Sequence, residues 1–368
     1  MKSFRFFNSQ KLLFTAVLAL SALNSYAQKA DSTKTDRLSL NVNALSFFRN
    51  TEYFNEFIDG YTLPGFWVEP RIQFESGKTK LSAGADFVKL GGGQGFKRIY
   101  PVFTAQQEVV NGFTVVVGTI NGREKHNLPQ PLYRYDNQYD GSPEYGLQLL
   151  FDFSKLKGDV WINWEQYIEQ GDTIQERFTQ GMNWNISLFD NGLTKLDIPI
   201  VSMLMHRGGQ VNVNESFIQT LWNTGTGISS RFSIENDNFK YIDLSVMGFR
   251  YADLSPTKRE AYKSGNAIMP QAALGIRNWR LEVGSWFSST FLTPRGVGLF
   301  SSSSLKIPGL TKAHRAIAYG SANYEFKLKN GLTTKAGAEA YFDLDTHKLD
   351  YCYGISLLFD RNFFLSHL

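Results

Sequence analysis

The sequence predicts an all-β fold: one transmembrane antiparallel β-barrel of about sixteen strands, with fourteen or eighteen as the neighbouring counts. Three observations predict it. Residues 1–27 have the layout of an export signal, the stretches after it alternate apolar and polar residues with period two, and tight turns alternate with long polar connections. The signal opens with Lys2, Arg5 and Lys11, runs through the apolar stretch Leu12 to Leu20 and closes on the small residues Ser25 and Ala27 before Gln28. That stretch is too short to anchor the chain in a bilayer. Residues 28–368 are expected to form a single barrel domain, since about ten residues precede the first strand and few follow the last. Neither an N-terminal plug nor an appended domain of ~50 residues fits such margins.

The strands follow in order. Leu38, Leu40, Val42 and Ala44 alternate with Ser39, Asn41 and Asn43; Val68, Pro70, Ile72 and Phe74 alternate with Glu69, Arg71, Gln73 and Glu75. Leu81, Ala83, Ala85 and Phe87 alternate with Lys80, Ser82, Gly84 and Asp86. Further apolar phases run through Leu147–Phe151, Val160–Trp164, Ile242–Val246, Leu332–Ala340 and finally Tyr351–Phe359. In an exported chain the apolar phase of such strands can face acyl chains and the polar phase a lumen. Pro70, Pro101, Pro199 and Pro270 fall inside these strands, where each removes a ladder donor.

Tight turns are expected at Ser76-Gly77-Lys78, Asn111-Gly112, Lys157-Gly158, Asn191-Gly192, Asn236-Asp237-Asn238, Arg277-Asn278 and Asn330-Gly331. Between them lie longer connections at 49–66, 89–97, 121–143, 166–173, 207–215, 254–262, 293–313 and 343–348. This rhythm suits short periplasmic turns and long outer loops.

Composition narrows the function classes. The chain carries 38 basic and 34 acidic residues, and removal of the signal leaves near balance, so nucleic-acid binding is not expected. The single cysteine, Cys352, excludes an intrachain disulfide and an N-terminal lipid anchor. Neither metal nor other cofactor is expected. The five histidines are scattered, Gly91-Gly92-Gly93-Gln94-Gly95 lacks a following Lys-Ser/Thr, and no Gly-x-Ser-x-Gly or His-Glu-x-x-His is present.

Gly354 with Leu357 and Phe359 resembles the β-signal read by the barrel-assembly machinery, although nine residues follow Phe359. The junction Tyr26-Ala27-Gln28 is similar to signal peptides of Bacteroidota, a Gram-negative phylum. Asn55-Glu56-Phe57, Gly60–Phe66 and Trp161–Tyr167 with Gly171-Asp172 resemble a porin-like outer-membrane barrel family of that phylum. The resemblance implies the cell outer membrane as location, with membrane lipids and the assembly machinery as partners. Homo-oligomers or other envelope proteins are further possible partners.

The inward phase is charged. Glu69, Arg71, Lys80, Asp86, Asp159, Glu165, Arg231, Lys240, Asp243, Arg280, Glu282, Lys335 and Glu339 are the candidate pore lining, their mixed signs implying weak ion preference. Trp161 and Trp286 share the phase and could stack on sugar rings or plug the lumen. Arg123, Lys125, Arg134 and Asp136, on loop 121–143 with Tyr133, Tyr135 and Tyr139, are candidates for a constriction, and loop 293–313 is a second inserted-loop candidate. The expected function is passive passage of small hydrophilic solutes, without catalysis. Two alternatives stand beside it: a lipid-modifying hydrolase using His206 as base and Ser216 as nucleophile, or a non-conducting barrel within an export or uptake assembly.

Overall fold

The computed structural model describes residues 36–122, 126–209 and 217–367; the expected signal peptide lies outside them. Sixteen strands occur in chain order. They are β1 Arg37–Glu52, β2 Tyr61–Ser76, β3 Thr79–Leu90, β4 Arg98–Val110, β5 Phe113–Thr119, β6 Tyr145–Asp152, β7 Leu156–Gln166 and β8 Arg177–Asp190, then β9 Thr194–Arg207, β10 Gln219–Ser233, β11 Phe239–Asp253, β12 Ser264–Ile276, β13 Trp279–Ser289, β14 His314–Lys327, β15 Leu332–Asp343 and β16 Lys348–His367. Each pairs antiparallel with its sequence neighbours, and β16 closes on β1 with Glu52 opposite Tyr351 and Arg37 opposite His367. Among the described residues no helix is long and apolar enough to cross a membrane. A closed barrel satisfies its backbone groups strand to strand, which is what allows strands to face lipid. This fold places the protein in the outer membrane.

The period-two alternation survives as a difference in exposure. On β13, Leu281, Val283 and Phe287 face outward and are exposed, whereas Trp286 between them points inward and is fully buried. The exposed Ile355 and Leu357 of β16 alternate likewise with the buried Cys352 and Ser356. An apolar exterior of this extent is costly in water and stable only against acyl chains.

Most expected turns lie where the Asn-Gly pattern puts them, for instance at Gly112 (φ +86°) and Asn330 (φ +72°). Lys157-Gly158 does not. The chain turns at 153–155, and Gly158 sits inside β7 against the Asn183 carbonyl, where a side chain would collide with it. A lone Gly thus marks close strand approach rather than a turn. The connection expected at 343–348 is only 344–347, and β16 runs to His367, eight residues beyond Phe359, so the β-signal-like residues sit within the closing strand.

The prolines are accommodated on one flank each. Pairing is interrupted beside Pro70 between Val68↔Phe87 and Arg71↔Gly84, beside Pro199 between Thr226↔Ile200 and Ser229↔Asp197, and beside Pro270 between Ile268↔Phe287 and Gln271↔Gly284. Local interruption, not a free edge, absorbs the missing donor in these three strands. Pro101 differs: it lies on a stretch of β4 beyond the end of β5.

Candidate functional site: a filled lumen and an outer-rim histidine

Two connections at the loop end turn into the barrel. The segment between β5 and β6 buries Ile120, His126, Leu132, Asp136, Gln138, Tyr139 and Glu144; that between β13 and β14 buries Phe291, Leu292, Leu299 and Phe300. They are stitched together by Arg134 N–H to the Arg295 carbonyl (3.0 Å) and Val297 N–H to the Gln130 carbonyl (2.9 Å). Irregular backbone inside a barrel needs hydrogen-bond partners. The wall supplies them: Trp67 Nε1 donates to Gln138 O (2.9 Å), Trp286 Nε1 to Phe300 O (3.1 Å), Asn223 Nδ2 to Leu292 O (2.9 Å), Asn183 Nδ2 to His126 O (2.9 Å) and Arg315 Nη1 to Ser301 O (2.7 Å).

Three charged anchors hold the insertion. Arg49 of β1 pairs with Asp136 (2.6 Å) and Glu339 (3.4 Å), and Tyr61 also donates to Asp136. His126 lies between Asp159 (Nδ1, 2.8 Å) and Glu144 (Nε2, 3.0 Å), its ring stacked on Trp161 at 3.5 Å, while Tyr133 donates to Glu144. Burial alone would depress the His126 pKa, but hydrogen bonds to Asp159 and Glu144 outweigh it and raise the imidazole to about 9. Glu144 is held below the ordinary carboxylate range despite its burial, chiefly by His126. Arg315 reaches Asp343 at 3.2 Å and lies over the Phe57 ring at 3.5 Å. Asn55 and the buried Phe57 belong to the Asn-Glu-Phe stretch singled out above; Asp350 accepts from the Asn55 backbone and side chain (3.1 and 2.8 Å).

These anchors separate the predicted lining into two groups. Asp86 and Asp159 are inward but buried at the insertion, Glu339 is mostly covered there, and Glu165 pairs with Arg295. Toward the short-turn end the wall stays solvated. Arg231 and Arg280 both reach Asp243 (2.6 and 2.7 Å), Arg280 also reaches Glu282 (2.9 Å), and Arg71 reaches Glu69 (2.9 Å). Lys80 approaches Glu75 at 3.8 Å, and Lys335 lines a cavity of about 160 Å³ with Glu325 and Glu339. A larger cavity of about 400 Å³ lies between the inserted Asn127–Gln130 stretch and the wall at Gln271, Glu282 and Tyr341. Lys240 departs from the expected lining: it lies at a bulge between Phe239 and Tyr241, an odd number of residues from Asp243 and so out of its phase, and is exposed.

Trp161 and Trp286 are inward, but both are fully covered by the insertion and neither offers a face to a solute. Of the constriction candidates, Asp136 is buried under Arg49, and Arg134 bonds to Asp140 at 2.6 Å. Arg123 and Lys125 lie outside the described residues, as does Ser216. Sequence reasoning named His126 only among the polar residues of loop 121–143 and missed Arg49, Glu144 and Tyr341, whose partners Asp136, His126 and Gln130 no local pattern brings to them. The signal for His126 was a histidine inside a charged, aromatic loop.

His206 lies on the outward face of β9 near its loop end, stacked on Phe178 with ring centroids 4.8 Å apart. Its Nε2 is 2.6 Å from the Gly208 carbonyl and its Nδ1 2.9 Å from Thr220 Oγ1. A carbonyl can only accept, so Nε2 carries the proton, and in the neutral ring Nδ1 accepts from the Thr220 hydroxyl. The arrangement is a hydroxyl–imidazole pair oriented by a third group.

Solved structures with this architecture include the outer membrane protein OprD from Pseudomonas aeruginosa, with a TM-score of 0.51 at 10% identity over 93% of this chain and 98% of that one. OccK1 (OpdK) from the same species has a TM-score of 0.50 at 8% identity over 89% and 99% of the two chains. A loop L8 deletion mutant of OmpT from Vibrio cholerae has a TM-score of 0.50 at 9% identity over 89% and 100%. At such identities the likeness is one of fold. No curated protein matches the chain. A family model does, over residues 30–368, and the chain belongs to the lipid A 3'-O-deacylase-type family.

Proposed function

We propose that the protein is a narrow outer-membrane channel for small hydrophilic solutes, its bore set by the two inserted segments. The Bacteroidota-like export signal fits that location. One observation carries the reading: the insertion is pinned by wall donors and ion pairs, whereas Arg231, Asp243, Arg280 and Glu282 keep a solvated lining toward the short-turn end. Sixteen strands enclose an aqueous lumen unless something fills it, and solvated charge of both signs along such a wall is of use to a passing solute. A protein working only on its lipid-facing surface has no need of it. In liposome swelling, monosaccharides and amino acids should enter slowly and trisaccharides not at all. Swelling no faster than in protein-free liposomes would sink the reading.

The family and the His206–Thr220 pair favour a second reading, hydrolysis of an acyl ester in the outer leaflet. The Thr220 oxygen would attack the ester carbonyl as its proton passes to His206 Nδ1, the sugar alkoxide would leave protonated, and water would then release the fatty acid. Fatty-acid release from lipid A vesicles, lost in both Thr220→Val and His206→Ala, is the expected signature. Release that persists in both variants excludes this pair.

A further inference from the structure

The lumen as a whole carries charge of both signs, but its largest cavity does not. That space of about 400 Å³ lies between the inserted segments, at Asn127–Gln130 and Phe300, and an arc of wall from β8 to β15. Two carboxylates line it, Glu282 on β13 and Glu339 on β15, and among the described residues no Lys, Arg or His does. Their counter-ions, Arg280 at 2.9 Å and Arg49 at 3.4 Å, stand outside the lining. Each acid is also held by an amide on the cavity wall: Gln271 Nε2 donates to Glu282 (3.2 Å) and Gln130 Nε2 to Glu339 (3.2 Å). Single-sign lining of a concave, largely covered space selects the opposite charge.

One corner of this cavity is aromatic. Phe300 lies 6.5 Å from Tyr319 and 6.0 Å from Tyr341 between ring centroids, and the two tyrosines, opposite each other in the β14–β15 ladder, are 6.2 Å apart. Phe300 arrives on an inserted loop, so the three-ring corner exists only with that loop in place. Met247 and Met269, paired across β11 and β12, bring two thioethers to the same space. An anion would meet two like charges here. A bare metal ion fits no better: among the described residues no group of three or more His, Cys, Asp or Glu is placed to hold one. Rings and polarizable thioethers beside carboxylates suit a cation whose charge is clothed in carbon.

We propose that this cavity is a binding site for a small alkylated ammonium ion, and that it sets the preferred solute class of the lumen. The positive centre sits between Glu282 and Glu339, and its alkyl groups rest against Phe300, Tyr319, Tyr341 and the two methionines. Attraction to the acids and to the ring quadrupoles then acts on one charge, in a space where water competes poorly. The inference rests on the channel reading for the solute's route to the cavity. Binding itself needs no flux, so the two fail separately.

The test is titration calorimetry of the full barrel in detergent, with choline and with the neutral alcohol in which carbon replaces the choline nitrogen. Two variants are compared with wild type. Glu282→Gln removes one of the two charges while Arg280 keeps Asp243 as its partner, and Ser321→Trp fills the cavity from the half-buried position between Glu282 and Glu339. One choline per barrel is expected, bound about tenfold tighter than the neutral alcohol and weakened about tenfold in each variant. Arg71→Gln, which alters a separate cavity, should bind as wild type does. Equal affinity for choline and its neutral counterpart, choline binding unchanged in both variants, or an equal loss in Arg71→Gln would overturn the proposal. So would absence of choline binding by a barrel that passes monosaccharides, an outcome that leaves the channel reading intact. Choline binding by a barrel that passes nothing supports the site and removes the channel. Heat-modifiable gel mobility confirms that each variant is a closed barrel.

Discussion

Replacing Arg49 with Met should release the inserted segment and open the bore. Arg49 is 6% exposed and faces the buried Asp136 and the mostly covered Glu339, so its loss leaves two like charges close together without the guanidinium between them. Breaking a buried pair from one side costs about 3–5 kcal/mol. The barrel ladder is untouched, so the cost falls on the insertion. Trypsin should then cut after Arg134, which in wild type is held by Asp140 and by the backbone bond to Arg295. Single-channel steps should rise several-fold. Unchanged trypsin resistance in Arg49→Met would show that the anchor contributes little.

Raising the pH should loosen the same segment through a different group. The His126 imidazolium is favoured in the folded state, with its pKa raised to about 9 from an ordinary ~6.5. Its stabilising contribution is therefore complete below about pH 6.5 and is lost as pH climbs through 9. Glu144 acts oppositely: its depressed pKa makes its contribution present above the ordinary carboxylate range and lost in acid. The groups facing the ring are Asp159, Glu144 and Tyr133, and burial pushes Tyr133 well above its usual range, so it stays protonated throughout. Conductance and trypsin sensitivity should rise reversibly between pH 6.5 and 9.5. In His126→Gln they should be high at both values. A wild-type profile flat across that interval would remove His126 as the lock.

The barrel itself was legible because membrane strands must alternate and hairpins need residues that accept positive φ. Those constraints act residue by residue, so Leu81–Phe87 or Asn330-Gly331 can be read without knowing any partner. Gly158 misleads because one residue serves two purposes, turning a chain or admitting a neighbour, and only the position of Asn183 decides between them. The lumen was half legible. Alternation places Asp159 and Glu339 inward, but whether an inward charge is solvated or buried depends on what else enters the barrel, here loops whose depth no local pattern encodes. Trp161 and Trp286 failed as solute platforms for the same reason.

The central claim is that a closed sixteen-strand ring is narrowed from within by its own connections. Planar-bilayer recording of the wild type beside a variant with residues 122–142 replaced by a short Gly-Ser linker tests it most directly. The account predicts small, stable steps for the wild type and steps several-fold larger for the variant, both from heat-modifiable barrels. Steps of equal size in the two proteins, or silence in both, would contradict it.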